Sequence, residues 1–121
     1  MFTTKIQFYF VSLLRKNQTI IMEKFKTICK NALETLFDSK REFVREKKGI
    51  FIFKNPVTGD EDACYISGNR IIWRIEKSKF VNKGRWRTDS KDEKITFIVN
   101  SDSFSISIEE IGKTNIKKFK L

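Results

Sequence analysis

The hydrophobic period of the chain changes once, near Gly49, and that change constrains the fold more than any other feature. Before it, Phe25, Ile28, Cys29, Ala32, Leu33, Leu36 and Phe37 recur at the i, i+3, i+4, i+7 spacing of one helix face. Lys24, Lys26, Lys30 and Glu34 fall off that stripe and suit solvent. After it, apolar and polar residues alternate with the period of two that marks strands. A helix followed by strands predicts an α+β domain, with an N-terminal amphipathic helix packed on an antiparallel meander of about six strands. A partly closed small β-barrel capped by the helix is the alternative architecture.

Local signals fill in this outline. Ser39-Lys40-Arg41-Glu42 fits a capping box, which predicts a short second helix through Phe43 and Val44, stopped by Lys47-Lys48-Gly49. Ile50-Phe51-Ile52-Phe53, apolar on both faces, reads as a buried strand. Asn55 to Asp62, with Pro56, Gly59 and Asp60, reads as a loop. The Gly68-Asn69 pair predicts a tight hairpin with Ile66 opposite Ile71 and Cys64 opposite Trp73. Asn82-Lys83-Gly84 predicts a second hairpin, with Phe80 opposite Trp86. A turn at Ser101-Asp102 pairs Val99 with Phe104, Phe97 with Ile106 and Ile95 with Ile108, all on one face.

Residues 22–121 are read as a single domain. Residues 1–21 are either an extra strand or a segment outside the domain, with Met22 as the true start. The apolar run Ile6 to Leu14 is nine residues long, short of the ~20 a membrane-spanning helix needs. Arg15-Lys16 follows it in place of the small-residue cleavage site of a signal peptide. Were residues 5–14 a strand, the order β-α-β-β-β-β would resemble cystatin-like and nuclear-transport-factor-like folds, a likeness of element order alone.

Chemistry is sparse. The chain has no histidine, which removes the commonest general base and metal ligand. Cys29 and Cys64 are the only cysteines and form no C-x-x-C pair, so reduced, buried thiols and a cytoplasmic location are expected. The glycines are scattered and form no phosphate loop. No cofactor and no metal site are expected. Asp60-Glu61-Asp62 reads as a solvated turn.

The formal net charge of +10 points first to an anionic partner. Much of it lies at the ends, however: +3 in residues 1–21 and +4 in residues 112–121. The distinctive internal stretch holds Arg70, Arg74, Lys77, Lys79, Lys83, Arg85 and Arg87 against Glu76, with Trp73 and Trp86 interleaved. Arginines grip phosphates and aromatic faces stack on bases. Arg70, Arg74, Lys77, Lys79, Arg85, Arg87 and Trp73 are therefore the candidate anion- or nucleic-acid-binding residues. Counted from the Asn82–Gly84 turn, Trp86 joins Phe80 on the core side, while Trp73 joins the cations. That segregation favours an ordinary core-and-surface hairpin. The expected function is a non-enzymatic small binding module whose partner is another protein, as an adaptor, inhibitor or immunity-type protein. Nucleic-acid binding by the hairpin at 70–87 is the alternative. A cryptic metal-dependent nuclease using Asp62, Glu76, Asp92 and Lys94 comes third.

Overall fold

The computed structural model describes residues 2–80 and 82–120, with side chains from Thr19 onward. One helix, α1 (Phe2–Phe37), precedes seven strands: β1 (Glu42–Lys47), β2 (Ile50–Lys54), β3 (Glu61–Ser67), β4 (Arg70–Lys77), β5 (Lys94–Val99), β6 (Ser103–Glu110) and β7 (Lys113–Lys120). The strands form a single antiparallel sheet in chain order. The predicted helix-on-meander architecture holds, with seven strands in place of about six. The sheet is open, with β1 and β7 at its edges, so the barrel alternative falls. Residues 5–14 lie within α1, which removes both the extra strand and the cystatin-like element order.

The second helix predicted from Ser39 does not form. Asp38 adopts a left-handed conformation with φ of 50°, and the Ser39 amide donates to the Glu34 carbonyl at 3.3 Å. That is the Schellman ending of α1, with aspartate taking the position usually held by glycine. The Ser39 hydroxyl is used by Arg41, whose Nη1 donates to it at 2.7 Å, so no helix is capped there. Residues 42–47 instead form β1. Lys48 and Gly49, at φ of 53° and 80°, make the tight turn into β2, where two left-handed residues suit the twist of a hairpin.

Two predicted registers hold: Cys64 faces Trp73 and Ile66 faces Ile71 across β3–β4, and Ile95, Phe97 and Val99 face Ile108, Ile106 and Phe104 across β5–β6. Phe51, Cys64 and Trp73 make a row across three strands on the face that α1 covers. Ile28, Cys29, Ala32 and Leu33 from α1 bury against that face with Phe53, Phe104 and Ile106, while Phe25 and Leu36 flank them, half-buried. Cys29 and Cys64 are not free thiols. They are joined in a disulfide that ties α1 to β3, with their Cα atoms 6.1 Å apart, a normal span for such a bridge. The helix stripe and the inner face of β3 bring the two sulfurs together, a meeting that the 35-residue separation conceals.

The hairpin predicted around Asn82–Gly84 is absent. β4 and β5 pair only at Arg70–Thr96 and Ile71–Ile95, then splay. The connection between them folds back along the freed edge of β4, where the Gly84 amide donates to the Ile75 carbonyl at 2.8 Å and the Arg87 amide to the Trp73 carbonyl at 3.0 Å. Phe80 does not meet Trp86; it is 92% exposed. β7 escaped the sequence reading because it sits at an edge and sends only Phe119 toward the core, which leaves no alternation to read.

Candidate functional site

The basic stretch gathers where β4 and β5 part. Arg85 grips Asp92 with both terminal nitrogens, at 2.7 and 2.8 Å, and the Asp89 amide donates to the same carboxylate at 2.9 Å. Arg87 approaches it at 3.6 Å, and the Asp92 side chain is only 4% exposed. The hydrogen bond from Arg85 holds the Asp92 carboxyl well below the usual carboxylate range, outweighing the opposing effect of desolvation. The Asp89 amide and the positive charges of Arg85 and Arg87 add to the lowering. Arg85 is in turn pushed above its ordinary value by that bond. Two of the candidate phosphate-gripping arginines are thus engaged by an internal acid. The bidentate fork of Arg85 is already used, while Arg87 makes a single approach at 3.6 Å.

On the sheet face away from α1, Tyr65 meets Trp86 edge to face with ring centres 4.8 Å apart. The Arg74 guanidinium lies 4.1 Å over the Trp86 ring, on the side where Arg74 and Ala63 pair. Glu76 stands 3.4 Å from Arg74 and 3.7 Å from Lys83. The register explains this meeting. Tyr65 faces Ile72 across β3–β4, so Tyr65, Ala63, Ile72 and Arg74 share the outer face, and the folded-back connection lays Trp86 on them. Among the described residues, no strand or helix covers this cluster.

The other candidate residues are scattered. Trp73 is buried, though the Arg87 guanidinium lies 5.1 Å over its ring. It belongs to the core, edge-on to Phe37 with ring centres 5.0 Å apart, and its indole N–H donates to Glu93 Oε1 at 2.9 Å. Counted from the Asn82–Gly84 turn, Trp86 belongs to the core and Trp73 to the surface; the structure instead buries Trp73 and lays Trp86 on the outer face. The cause is the parity count from a hairpin that does not form; the Cys64–Trp73 pairing had already fixed Trp73 toward α1. Arg70 donates from Nη2 to the Arg87 carbonyl at 3.5 Å. Lys77 and Lys79 lie apart from the aromatic cluster, lining a cleft of about 520 Å³ with Val57, Asp60 and Phe80. Tyr65 was not a candidate from sequence, although extending the β3–β4 register by one position would have set it beside Arg74.

The acids do not converge. Asp62 faces α1 and is buried against Arg41, whose Nε donates to it at 3.0 Å, and burial raises its carboxyl above the ordinary value despite that partner. Glu76 lies on the opposite face with Arg74, and Asp92 is held by Arg85. Among the described residues, no group of three acids or cysteines is spaced to hold a metal ion. No helix among them is long and apolar enough to cross a membrane. No known protein family, curated protein or solved structure matches the chain.

Proposed function

We propose that the chain is a non-enzymatic binding module that engages another protein through the outer-face cluster of Tyr65, Arg74 and Trp86. One observation carries the reading: Arg85 and Arg87 converge on Asp92, while a tyrosine, an arginine and a tryptophan stack together, each partly exposed, on the outer sheet face. Those three residue types carry much of the energy of protein interfaces: tyrosine and tryptophan offer large rigid areas at low entropic cost, and arginine a planar charged fork that stacks on them. Phosphate recognition asks for free guanidinium forks, and here that of Arg85 is occupied by Asp92.

Trp86→Ala is the test. Affinity capture from the native cells, with wild type and variant side by side, is expected to lose one protein partner with the variant while thermal unfolding shows both folded. Salt-sensitive capture of single-stranded DNA or RNA, lost on changing Lys77 and Lys79, would establish the nucleic-acid reading in its place. A cytoplasmic location was expected from reduced thiols, and the Cys29–Cys64 bridge removes that support, since disulfides persist in oxidising compartments. Thiol titration of the protein taken directly from its cells decides the compartment.

A further inference from the structure

We infer that β7 is a docking edge, where an extended acidic segment of another protein adds to the sheet as an eighth strand. The inference shares the protein-binding reading but does not depend on the outer-face cluster. The sheet ends at β7, whose eight residues pair with β6 from Ser103–Lys120 to Glu110–Lys113 without a bulge. A straight edge strand presents a regular row of free amides and carbonyls, which is the template for strand addition. Apart from Phe119, every residue of β7 is exposed.

The opposite edge is a poor template. β1 has a bulge between Phe43 and Arg45, which breaks the row of backbone groups. Lys26 of α1 lies 4.6 Å over the Phe43 ring beside it. Arg45 and Glu42 are already in ion pairs with Glu61 and Lys54.

Charge selects the occupant of β7. Lys113, Lys117, Lys118 and Lys120 lie on the strand with no acid among them, and none is in an ion pair among the described residues. A second copy would set lysine against lysine, and like charges facing each other across strands repel. An acidic strand would meet these lysines on both faces, because Lys117 pairs with Ile106 of the inner face and Lys118 with Ser105 of the outer. Ile116, 68% exposed on the outer face, adds an apolar contact. The fitting segment therefore carries adjacent acids opposite Lys117 and Lys118, with an apolar residue near Ile116.

A short capped peptide of glutamates and valines, with two adjacent glutamates to face Lys117 and Lys118, tests this against the full chain. Binding is expected to weaken with added salt, and the amides of 113–120 are expected to shift in NMR spectra and to gain exchange protection. The double variant Lys117→Glu, Lys118→Glu should bind about tenfold more weakly, since two attractive cross-strand pairs become repulsive. N-methylation of alternate peptide residues should abolish binding, because strand addition needs the backbone donors. Absence of binding, or equal binding of the N-methylated peptide, overturns the proposal, as does self-association through β7. Each of these outcomes is separate from the Trp86→Ala result.

Discussion

Asp62 and Asp92 are both held by arginine, yet their surroundings drive them in opposite directions. At Asp92 the Arg85 hydrogen bond dominates and lowers the carboxyl. Its stabilisation is present above the ordinary carboxylate range and is lost as pH falls through the depressed value. At Asp62 desolvation dominates, and the charge and hydrogen bond of Arg41 only partly offset it. A raised carboxyl favours the fold at low pH and loses that advantage as pH rises through its own value. Arg41→Met should therefore destabilise by about 3–5 kcal/mol near neutrality, the cost of leaving one buried charge unpaired. The deficit relative to wild type should shrink in acid as Asp62 takes up a proton. Urea unfolding across a pH series checks this, and a deficit that does not change with pH would count against it. The tryptophans give a second contrast at this scale. Trp73→Ala should cost about 3–5 kcal/mol through lost core packing. Trp86→Ala should cost only about 1–2 kcal/mol, the worth of an aromatic pair and a stacked arginine on a half-open face.

Among the elements, the disulfide is a covalent cross-link between helix and sheet. It closes a span of 35 residues, for which the chain-entropy argument gives about 3–4 kcal/mol. Reduction, or the paired change Cys29→Ala and Cys64→Ala, is expected to lower the unfolding free energy by that amount while the helix signal persists at 25 °C. Equal denaturation midpoints with and without reductant would show that the bridge contributes nothing. The same scale separates what was legible in the sequence from what was not. The α1 stripe and the hairpins at Gly68 and Ser101 could be read because each buries one face, and burial imposes a period. β1 and β7 are edge strands almost wholly in water, so no period marked them. Ser39 to Glu42 carried a valid helix-start pattern that lost to Asp38, whose left-handed backbone ended α1 and freed Ser39 for Arg41. The connection between β4 and β5 had a good turn triplet in Asn82–Gly84. It lost to backbone bonds from Gly84 and Arg87 onto the open edge of β4, a long-range pairing that no local pattern records. For the same reason the candidate site was half visible: Arg74 and Trp86 stood out by type, but their meeting with Tyr65 depended on that connection folding back.

The whole molecule is unequal in its proportions. The 36 residues of α1 make a rod about 54 Å long, whereas the longest strands, of eight residues, span about 27 Å. The helix is therefore about twice as long as the longest strands. Among the described side chains, those of α1 that pack on the core run from Met22 to Phe37. Within that stretch, the ties between helix and sheet among the described side chains include the disulfide at Cys29, the Phe37–Trp73 contact and the Glu34 carboxylate that accepts from the Arg41 amide at 3.0 Å. Most helical stability in proteins comes from such packing and little from propensity. A fragment spanning Met22–Leu121 should therefore keep one cooperative unfolding transition. Its midpoint should lie within about 5 °C of the full chain, which corresponds to about 1 kcal/mol for a domain this size. The fragment also sheds Lys5, Arg15 and Lys16, and lower net charge eases self-repulsion, so the shift has a compensating part. Thermal unfolding of both proteins, followed by far-ultraviolet and tryptophan signals together, makes the comparison. Coincident transitions in the fragment would locate the cooperative unit after residue 21. A fragment that melts gradually, or whose two signals separate, would mean that the first turns of α1 belong to the fold.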